Sequence, residues 1–274
     1  MTQIEALLEF LGEAVTPFHA VAAMSRRLSD AGFEEVERFD AETMTAGRGY
    51  FMTRQGSSLI AMRAGQGRPD AGLRLVGAHT DSPNLSVKPN PVKGLDGCVQ
   101  LGVDVYGGAL LNPWFDRDLA IAGRVTLLTT SGELCSTLFD SARPVAVVPS
   151  LAIHLDREAN KQRSINPQKD VVPLVMLGDA QQFDFKAWLA ETLTAQDSQW
   201  QDARVMDYEL SLYDVQPPAV AGIDESWITS ARLDNLLSCF AGLSALIDTE
   251  DAEWSMLVAT DHEEVGSAST VGAQ

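Results

Sequence analysis

The sequence has few cysteines, and their number and spacing exclude a disulfide framework. Only three occur in 274 residues, Cys98, Cys135 and Cys239, an odd count without a Cys-x-x-Cys pair. Such sparse thiols are typical of a protein from a reducing compartment. The opening residues, MTQIEALLEFLGEA, lack a positively charged start and carry glutamates within their apolar stretch, which predicts an amphipathic helix rather than a signal peptide. We therefore expect a cytoplasmic protein.

Positive charge and long apolar runs are also scarce. The chain has 20 Lys and Arg against 38 Asp and Glu, a formal net charge of −18. Such a surface repels phosphate backbones and anionic lipids, so we expect neither a nucleic-acid nor a membrane partner. No apolar run approaches the roughly 20 residues that a membrane-spanning helix needs. Hydrophobic residues nonetheless make up 45% of the chain, enough for a packed core in one large domain or two smaller ones.

The first third of the chain alternates between helical and extended patterns. Thr16-Pro17 predicts a helix start and Gly32 its end, because threonine caps helix N-termini, proline suits the first turn and glycine suits the position after the last. The strand candidates that follow are Tyr50–Thr53, Ser58–Arg63 and Leu73–Gly77. The last runs directly into AHTDSP, residues 78–83. A polar motif at the carboxyl end of a strand is typical of an α/β sheet with its site at that edge.

A β-rich pattern begins after KPNPVKG, residues 88–94. The segment 99–105 alternates apolar with polar or small residues, which is the period of a half-buried strand. Further β-rich runs lie at 125–130 and 145–148. One helical stretch, Phe183–Leu193, interrupts them, and QPPAVAG at 216–222 has the composition of an exit linker. The middle of the chain is therefore predicted to be a β-dominated insertion.

The α/β pattern returns near residue 230. Apolar residues recur at helical spacing over Asp234–Leu246, and Glu253–Thr260 has the composition of a buried strand. We predict an α/β fold in which one domain, residues 1–91 and 223–274, is interrupted by a β-rich domain, residues 92–222.

Three short motifs could carry chemistry. The first is His79-Thr80-Asp81 at the predicted strand end, where an aspartate two residues from a histidine can orient the imidazole toward a metal from behind. The second is Asp234, for which two interpretations stand. By itself it is best explained as a helix N-cap. Alternatively, a carboxylate held rigidly at an element end could bridge two metals.

The third motif, DHEEVG at 261–266, places a histidine and two carboxylates after a predicted strand. It is not the HExxH zinc motif, because Gly266 occupies the position that the second histidine needs. At a strand end, however, one carboxylate can ligate a metal while its neighbour holds the attacking water. Hydrolysis requires that division, since the metal lowers the pKa of water and a separate base takes the proton. A solvated acidic loop is the alternative interpretation of an isolated Glu-Glu pair.

Together these motifs resemble the aspartyl aminopeptidases, a family of dinuclear zinc metallopeptidases. The matching stretches, in order, are GAHTDSPNLSVKPNP (77–91), NPWFDRDLAIAGRV (112–125), IHLDREAN (153–160), ITSARLDNLLSCFAGL (228–243) and DHEEVGSASTVGA (261–273). The resemblance implies a zinc-peptidase-like α/β catalytic domain, interrupted by a β-rich insertion that serves as a dimerisation domain.

The resemblance also implies a site for two zinc ions. The ligands it implies are His79, Glu264 and, as the bridge between the two ions, Asp234. It makes Glu263 the general base and places Asp81 behind the histidine. In related co-catalytic peptidases a cis peptide commonly follows the bridging aspartate.

Partners follow from the same resemblance. His154, within IHLDREAN, matches a histidine that reaches from one subunit toward the active site of a neighbour, whereas a lone histidine in an apolar-flanked stretch is more often structural. The implied assembly is a homo-oligomer, a dodecamer, with self-association through the inserted domain. The implied substrates are peptides with an acidic N-terminal residue, Asp or Glu. Because the chain has a formal net charge of −18, the electrostatic potential must be positive locally at the site for such substrates to be attracted.

Members of the family continue beyond the point that matches residue 274 and supply two further ligands there, an aspartate and a histidine. With only His79, Asp234 and Glu264, each zinc would have two protein ligands, fewer than the roughly three that such sites need. We therefore expect a metalloaminopeptidase whose activity belongs to the full-length protein. A truncated, catalytically silent assembly or binding module is the alternative hypothesis, and a metal-dependent deacylase or carboxypeptidase is a third.

Overall fold

The computed structural model describes residues 2–40, 42–67, 72–249 and 253–272. Its α-helices are α1 (Gln3–Glu13), α2 (Pro17–Asp30), α3 (Phe185–Gln196) and α4 (Leu233–Asp248). Its strands are β1 (Glu34–Glu35), β2 (Gly49–Arg54), β3 (Ser58–Arg63), β4 (Leu73–His79), β5 (Asn84–Leu95), β6 (Cys98–Tyr106), β7 (Leu119–Leu128), β8 (Leu134–Asp140), β9 (Leu174–Leu177), β10 (Arg204–Asp214), β11 (Ala219–Ala221), β12 (Trp227–Thr229) and β13 (Trp254–Thr260).

Two compact units divide the chain. Unit 1 comprises Met1–Ser82 and Pro217–Gln274, and unit 2 comprises Pro83–Gln216. The predicted boundaries lie instead after residues 91 and 222. They differ because KPNPVKG lies inside β5, at a bulge in its pairing with β6 that accommodates the prolines, and because QPPAVAG already contains β11.

Unit 1 is built on a five-stranded sheet in the order β1-β2-β3-β13-β4. Strand β13 pairs antiparallel with β3 and parallel with β4. It comes from the chain segment after unit 2, whereas its two neighbours come from the segment before it. The sheet therefore joins the two halves of unit 1, and the carboxyl ends of the parallel pair β4 and β13 meet at one edge.

Helices α1, α2 and α4 share one apolar core with this sheet. Helix α1 begins at a capping box between Thr2 and Glu5. Helix α2 begins at Thr16 with Pro17 in its first turn, as predicted. The core side chains include Phe10, Leu11, Met24, Leu28, Phe51, Leu59, Leu236, Leu243 and Leu257, each worth about 1.5–3 kcal/mol when fully buried. Within the described part of the chain, no helix is both long and apolar enough to cross a membrane.

Unit 2 is built on a six-stranded antiparallel sheet in the order β8-β7-β10-β5-β6-β9. Helix α3 contributes Phe185, Leu189 and Leu193 to the apolar cluster of this sheet. Its Phe185 ring packs edge-on against Tyr208 of β10 at 5.4 Å between centroids. Unit 2 is thus β-rich with one helix, and the predicted mixed α/β character of the chain is confirmed.

Two predicted elements of unit 2 differ from the structure. The helix begins at Phe185 and not at Phe183, because the Asp184 carboxylate accepts hydrogen bonds from the first backbone N–H groups and acts as the N-cap. The segment 145–148, predicted to be a strand, forms only isolated bridges. Pro144 and Pro149 flank it, and proline has no N–H for a regular ladder.

Gly123 in the middle of β7 offers a test of this sheet. Its φ is +153°, and a Cβ at this position would lie 2.0 Å from the Glu209 carbonyl oxygen of β10. Gly123→Ala should therefore lower the free energy of unfolding by about 2–3 kcal/mol, since neither backbone can move without breaking the ladder. Gly108→Ala is the matched control, because a Cβ there meets no atom within 4 Å. Equal urea midpoints for the two variants would contradict the packing at β7.

Candidate active site

The candidate site lies where β4 and β13 end side by side. His79, the last residue of β4, is paired with Thr260, the last residue of β13. The backbone N–H of Thr80 donates to the Thr260 carbonyl at 2.8 Å, and the Thr80 hydroxyl donates to the Ser57 carbonyl at 2.7 Å. These bonds tie the first residue after β4 to both neighbouring elements. The motifs at 79–81 and 261–264 are thereby brought to the same edge of the sheet.

Asp81 connects the two motifs directly. Its carboxylate is 1% exposed and accepts the backbone N–H groups of Glu263 at 3.2 Å and Glu264 at 3.1 Å. One of its oxygens also lies 3.2 Å from Nδ1 of His79. A buried carboxylate needs such donors, because an unsatisfied charge in the protein interior is costly. Asp81 therefore fixes the imidazole and the paired glutamates relative to each other.

The His79 imidazole points its other nitrogen at carboxylates. Nε2 lies 3.5 Å from Oδ1 of Asp234 and 3.7 Å from Oε2 of Glu263. Nδ1 faces the side chain and the backbone carbonyl of Asp81. A histidine held from behind by a carboxylate and directed at further oxygen donors has the surroundings of a metal-binding imidazole.

Among the described residues, the Asp234 carboxylate contacts the Asn235 amide and the His79 imidazole but accepts no capping hydrogen bond from a backbone N–H. The interpretation favoured for it in isolation, a helix N-cap, is therefore wrong. The Asp234 backbone is non-helical, with φ −83° and ψ 114°, and the Arg232 position takes the place of the N-cap without any side-chain cap. The peptide bond between Asp234 and Asn235 is cis, as the resemblance implies. The carboxylate is left 81% exposed beside the imidazole of His79.

Several contacts hold the Asp234 segment in place. Arg232 has φ +59°, in the left-handed region, and its guanidinium donates to the Ala14 carbonyl at 3.1 Å near the end of α1. The Ser82 hydroxyl donates to the Asp234 carbonyl at 2.9 Å. The Asn235 side-chain oxygen accepts the His79 backbone N–H at 3.2 Å. Left-handed backbone is unfavourable for arginine, and the contacts around it sustain the geometry that presents the carboxylate.

Glu263 and Glu264 begin a 3-10 turn, Glu263–Val265, directly after the left-handed residue His262 at φ +61°. The two side chains differ in surroundings. The Glu263 side chain is 53% exposed, whereas Glu264 is half-buried. Burial raises the pKa of the Glu264 carboxyl; the nearby Asp81 adds to this rise and His79 opposes it. A cation bound beside Glu264 would therefore offset the repulsion from the neighbouring carboxylates and favour the ionised form of its side chain.

Supporting residues in this site escaped the sequence interpretation. Asp261 is 3% exposed, and its Oδ1 accepts the backbone N–H of His262 at 2.7 Å. Burial raises the pKa of Asp261, while hydrogen bonding to Ser57 lowers it. The Cys239 thiol donates to the His79 carbonyl at 3.1 Å. Asp261 is the first residue of the quoted DHEEVG motif and could have been found as a polar residue at the end of a buried strand. Nothing in the sequence pattern marks Ser57 or Cys239.

His154 belongs to the other unit. It lies in an exposed turn of unit 2, whereas His79, Asp81, Asp234, Glu263 and Glu264 all lie in unit 1. The structure gathers those five side chains at one sheet edge, and His154 is not among them.

The side chains at the sheet edge fit a metal by their chemistry. Imidazole nitrogen and carboxylate oxygen are the ligands that zinc takes in hydrolytic sites. The described residues contain no group of three or more His, Cys, Asp or Glu side chains already arranged to hold an ion. Nε2 of His79 lies 3.5 Å from Oδ1 of Asp234, and Glu264 belongs to the same charged cluster.

These features define an α/β protein with a cluster of histidine and carboxylate side chains at one edge of its unit 1 sheet. The chain belongs to the peptidase M18 family, described as aminopeptidase I zinc metalloproteases, and the match covers residues 10–274. The family predicted from the quoted motifs is therefore confirmed.

A curated relative from Ectopseudomonas mendocina (strain ymp), called probable M18 family aminopeptidase 2, is 53% identical over 274 residues, covering 98% of this chain and 63% of the relative. A solved structure of Chaetomium thermophilum mApe1 is 30% identical with a TM-score of 0.86, covering 98% of this chain and 64% of that one. The structure of the S. cerevisiae mApe1 dodecamer is 26% identical with a TM-score of 0.80, and the match covers 98% of this chain and 62% of that one. The chain thus spans somewhat less than two thirds of the length of these relatives.

The role of Asp81 can be tested by removing one acceptor. Asp81→Asn replaces a carboxylate oxygen with an NH2 group, so one of the backbone donors at Glu263 and Glu264 loses its partner. The free energy of unfolding should fall by about 2–3 kcal/mol. Asp30→Asn, at the exposed end of α2, is the control and should change it little. Urea unfolding followed by circular dichroism measures both variants. An unchanged free energy of unfolding in Asp81→Asn would contradict the hydrogen bonds from Glu263 and Glu264.

Cys239 provides a second test. Burial raises the pKa of its thiol to about 12, and the neighbouring Asp81 adds to the rise. At pH 8.5 fewer than about one in a thousand of these thiols would be ionised, and the thiolate is the reactive form. Iodoacetamide should therefore label Cys98 and Cys135 at most in the folded protein, and all three cysteines after unfolding in guanidinium. Peptide mass spectrometry that finds Cys239 alkylated in the folded protein would contradict this burial.

Proposed function

We propose that the protein is a zinc-dependent aminopeptidase that acts at the carboxyl edge of the unit 1 sheet. The observation that supports this most is the convergence on His79: Nε2 lies 3.5 Å from Asp234 and 3.7 Å from Glu263. Its Nδ1 lies 3.2 Å from the buried Asp81. Residues from both chain segments of unit 1, before and after unit 2, are thus assembled into one polar cluster, within a chain that belongs to a family of zinc metalloproteases.

The proposed metal ligands are His79, Asp234 and Glu264. The imidazole offers Nε2, because Nδ1 is engaged by Asp81. The Asp234 carboxylate is exposed and has two oxygens, so it can bridge two ions. Glu264 is half-buried among other carboxylates, and a cation would favour its ionised form.

Glu263 is the proposed general base. Its carboxylate is the more exposed of the pair and faces the same imidazole nitrogen as Asp234 does. In the proposed reaction Glu263 accepts a proton from the attacking water and returns it to the leaving amine as the peptide bond breaks. Bound zinc would polarise the scissile carbonyl and lower the pKa of water. Asp81 holds His79 in the tautomer that leaves Nε2 free.

Peptides with an acidic N-terminal residue are the proposed substrates. The site already concentrates the carboxylates of Asp81, Asp234, Glu263 and Glu264 in a chain of net charge −18. An acidic side chain would be repelled there unless divalent cations and a basic group outside this cluster reversed the local potential. The basic group is not among the residues gathered at the sheet edge.

A homo-oligomer, by analogy with the dodecameric S. cerevisiae structure, is the proposed assembly. In unit 2 the turn that carries His154 exposes Leu151 at 61%, Ile153 at 47% and Leu155 at 75%. Exposed apolar side chains close together are typical of an association surface. His154 would then act in the site of a second copy of the chain.

Glu263→Gln tests the proposed base. In the full-length protein it should lower kcat on aspartyl- and glutamyl-arylamides by about 10²–10⁴-fold, while zinc content, measured by plasma mass spectrometry, stays unchanged. Glu35→Gln, an exposed carboxylate in β1, is the matched control and should retain full kcat. His79→Ala should differ from both, losing zinc together with activity. Activity that survives chelators or Glu263→Gln would overturn the proposal.

A catalytically silent assembly or binding module is the second candidate function. The observation that favours it is β4, which forms an edge of the unit 1 sheet and exposes Leu73 at 44%, Leu75 at 57% and Val76 at 44%. An apolar edge strand is a ready site for pairing with another polypeptide. A full-length protein that assembles but neither binds zinc nor hydrolyses arylamides, including leucyl-arylamide, would support this candidate.

A further inference from the structure

A cavity of about 250 Å³ lies within unit 2, and its lining includes no residue assigned to the proposed peptidase site. Its walls come from strands β6, β7 and β9, from helix α3 and from the segment around residue 144. The lining side chains are Leu101, Ile121, Arg143, Val145, Val175, Met176, Phe183, Phe185 and Trp188. All but one of them are apolar.

Aromatic rings form one wall of this cavity. Phe185 and Trp188 are stacked with 5.5 Å between ring centroids, and Phe183 meets Phe185 edge-on at 6.4 Å. Trp188 is further fixed by an edge contact with Phe139 at 5.6 Å. Contacts of this kind hold rings in defined orientations, so the wall is a preformed surface for another ring to pack against.

Arg143 is the charged residue of the lining. Its backbone carbonyl accepts a hydrogen bond from Ser141 at 3.0 Å, but its guanidinium has no ion pair or hydrogen bond to any other residue that the structure describes. The same side chain borders a neighbouring cavity of about 390 Å³, which Asp118 also lines. An exposed guanidinium beside an aromatic wall presents a fork of donors that matches a carboxylate.

We propose that this cavity binds a small carboxylate with an aromatic or bulky apolar body, its ring packed against Phe185 and Trp188 and its carboxylate paired with Arg143. The size is suitable, since an apolar cavity of about 150 Å³ already admits benzene. The charge is complementary, because Arg143 is the cation of an otherwise apolar lining. The ligand class includes free apolar amino acids, whose ammonium group Asp118 could meet in the adjoining cavity.

Calorimetric titration of the full-length protein with 3-phenylpropionate tests the proposal. The neutral amide of the same acid is the matched ligand without charge, and propionate is the matched ligand without a ring. Saturable binding of 3-phenylpropionate, with weaker binding of both comparison ligands, is expected. Arg143→Gln should weaken 3-phenylpropionate about tenfold or more, the usual worth of a charge-assisted hydrogen bond, and leave the amide unchanged. Arg204→Gln, an exposed arginine of the same unit outside the cavity, should bind like the unaltered protein.

A second variant separates filling the cavity from removing the charge. Val175→Trp should occlude the cavity and abolish binding of the acid and the amide alike, while circular dichroism shows the native fold. No saturable binding to the unaltered protein, equal affinity for acid and amide, or full affinity in Arg143→Gln would each overturn the proposal.

L-Phenylalanine should bind at least as tightly as 3-phenylpropionate. If it binds more tightly, Asp118→Asn should reduce its affinity to that of 3-phenylpropionate. Arylamide hydrolysis measured alongside reports on the peptidase site independently, since no cavity residue belongs to it.

Discussion

The candidate site depends on the buried carboxylate of Asp81. It accepts backbone hydrogen bonds from Glu263 and Glu264 and lies against Nδ1 of His79. These donors come from two strand ends that are far apart in the chain. A group buried this deeply must satisfy its oxygens, and it can do so only when both ends are in register. The same interaction therefore stabilises unit 1 and sets the geometry of its polar cluster.

The register comes from the parallel pairing of β4 with β13, and unit 2 separates these strands in sequence. The entropy of closing a loop grows only slowly with its length, so a whole folded unit between Ser82 and Pro217 costs little more than a long loop. The chain can thus carry a second core, with its own cavity and aromatic wall, without disturbing the edge where His79 meets Thr260.

The periodic elements were predictable from the sequence, whereas the geometry of the site was not. Alternation and helical spacing located β3, β13 and α4 closely, because their apolar faces are buried in one core. The change of pattern after KPNPVKG was used to place a domain boundary, whereas the stretch itself lies inside β5, at a bulge that accommodates its prolines. Asp234 was misread in isolation as a cap, since its local sequence cannot reveal the Ser82 hydroxyl and the Asn235 contact with β4 that hold it outside the helix. Its role as a bridging ligand stays a prediction.

The solvent exposure of each carboxylate at the sheet edge limits the role that it can have in the proposed reaction. Asp81 is 1% exposed and is surrounded by N–H donors, so it can position His79 but cannot reach water or a substrate. Asp234 and Glu263 are largely exposed on the other side of the same imidazole. Glu264 lies between these extremes, and its raised pKa reflects burial among like charges. A base must exchange protons with water, whereas a ligand gains most where negative charge is already crowded. Between the two neighbouring glutamates, this contrast supports the proposal of Glu263 as the base and Glu264 as the ligand, on physical grounds that the motif alone does not contain.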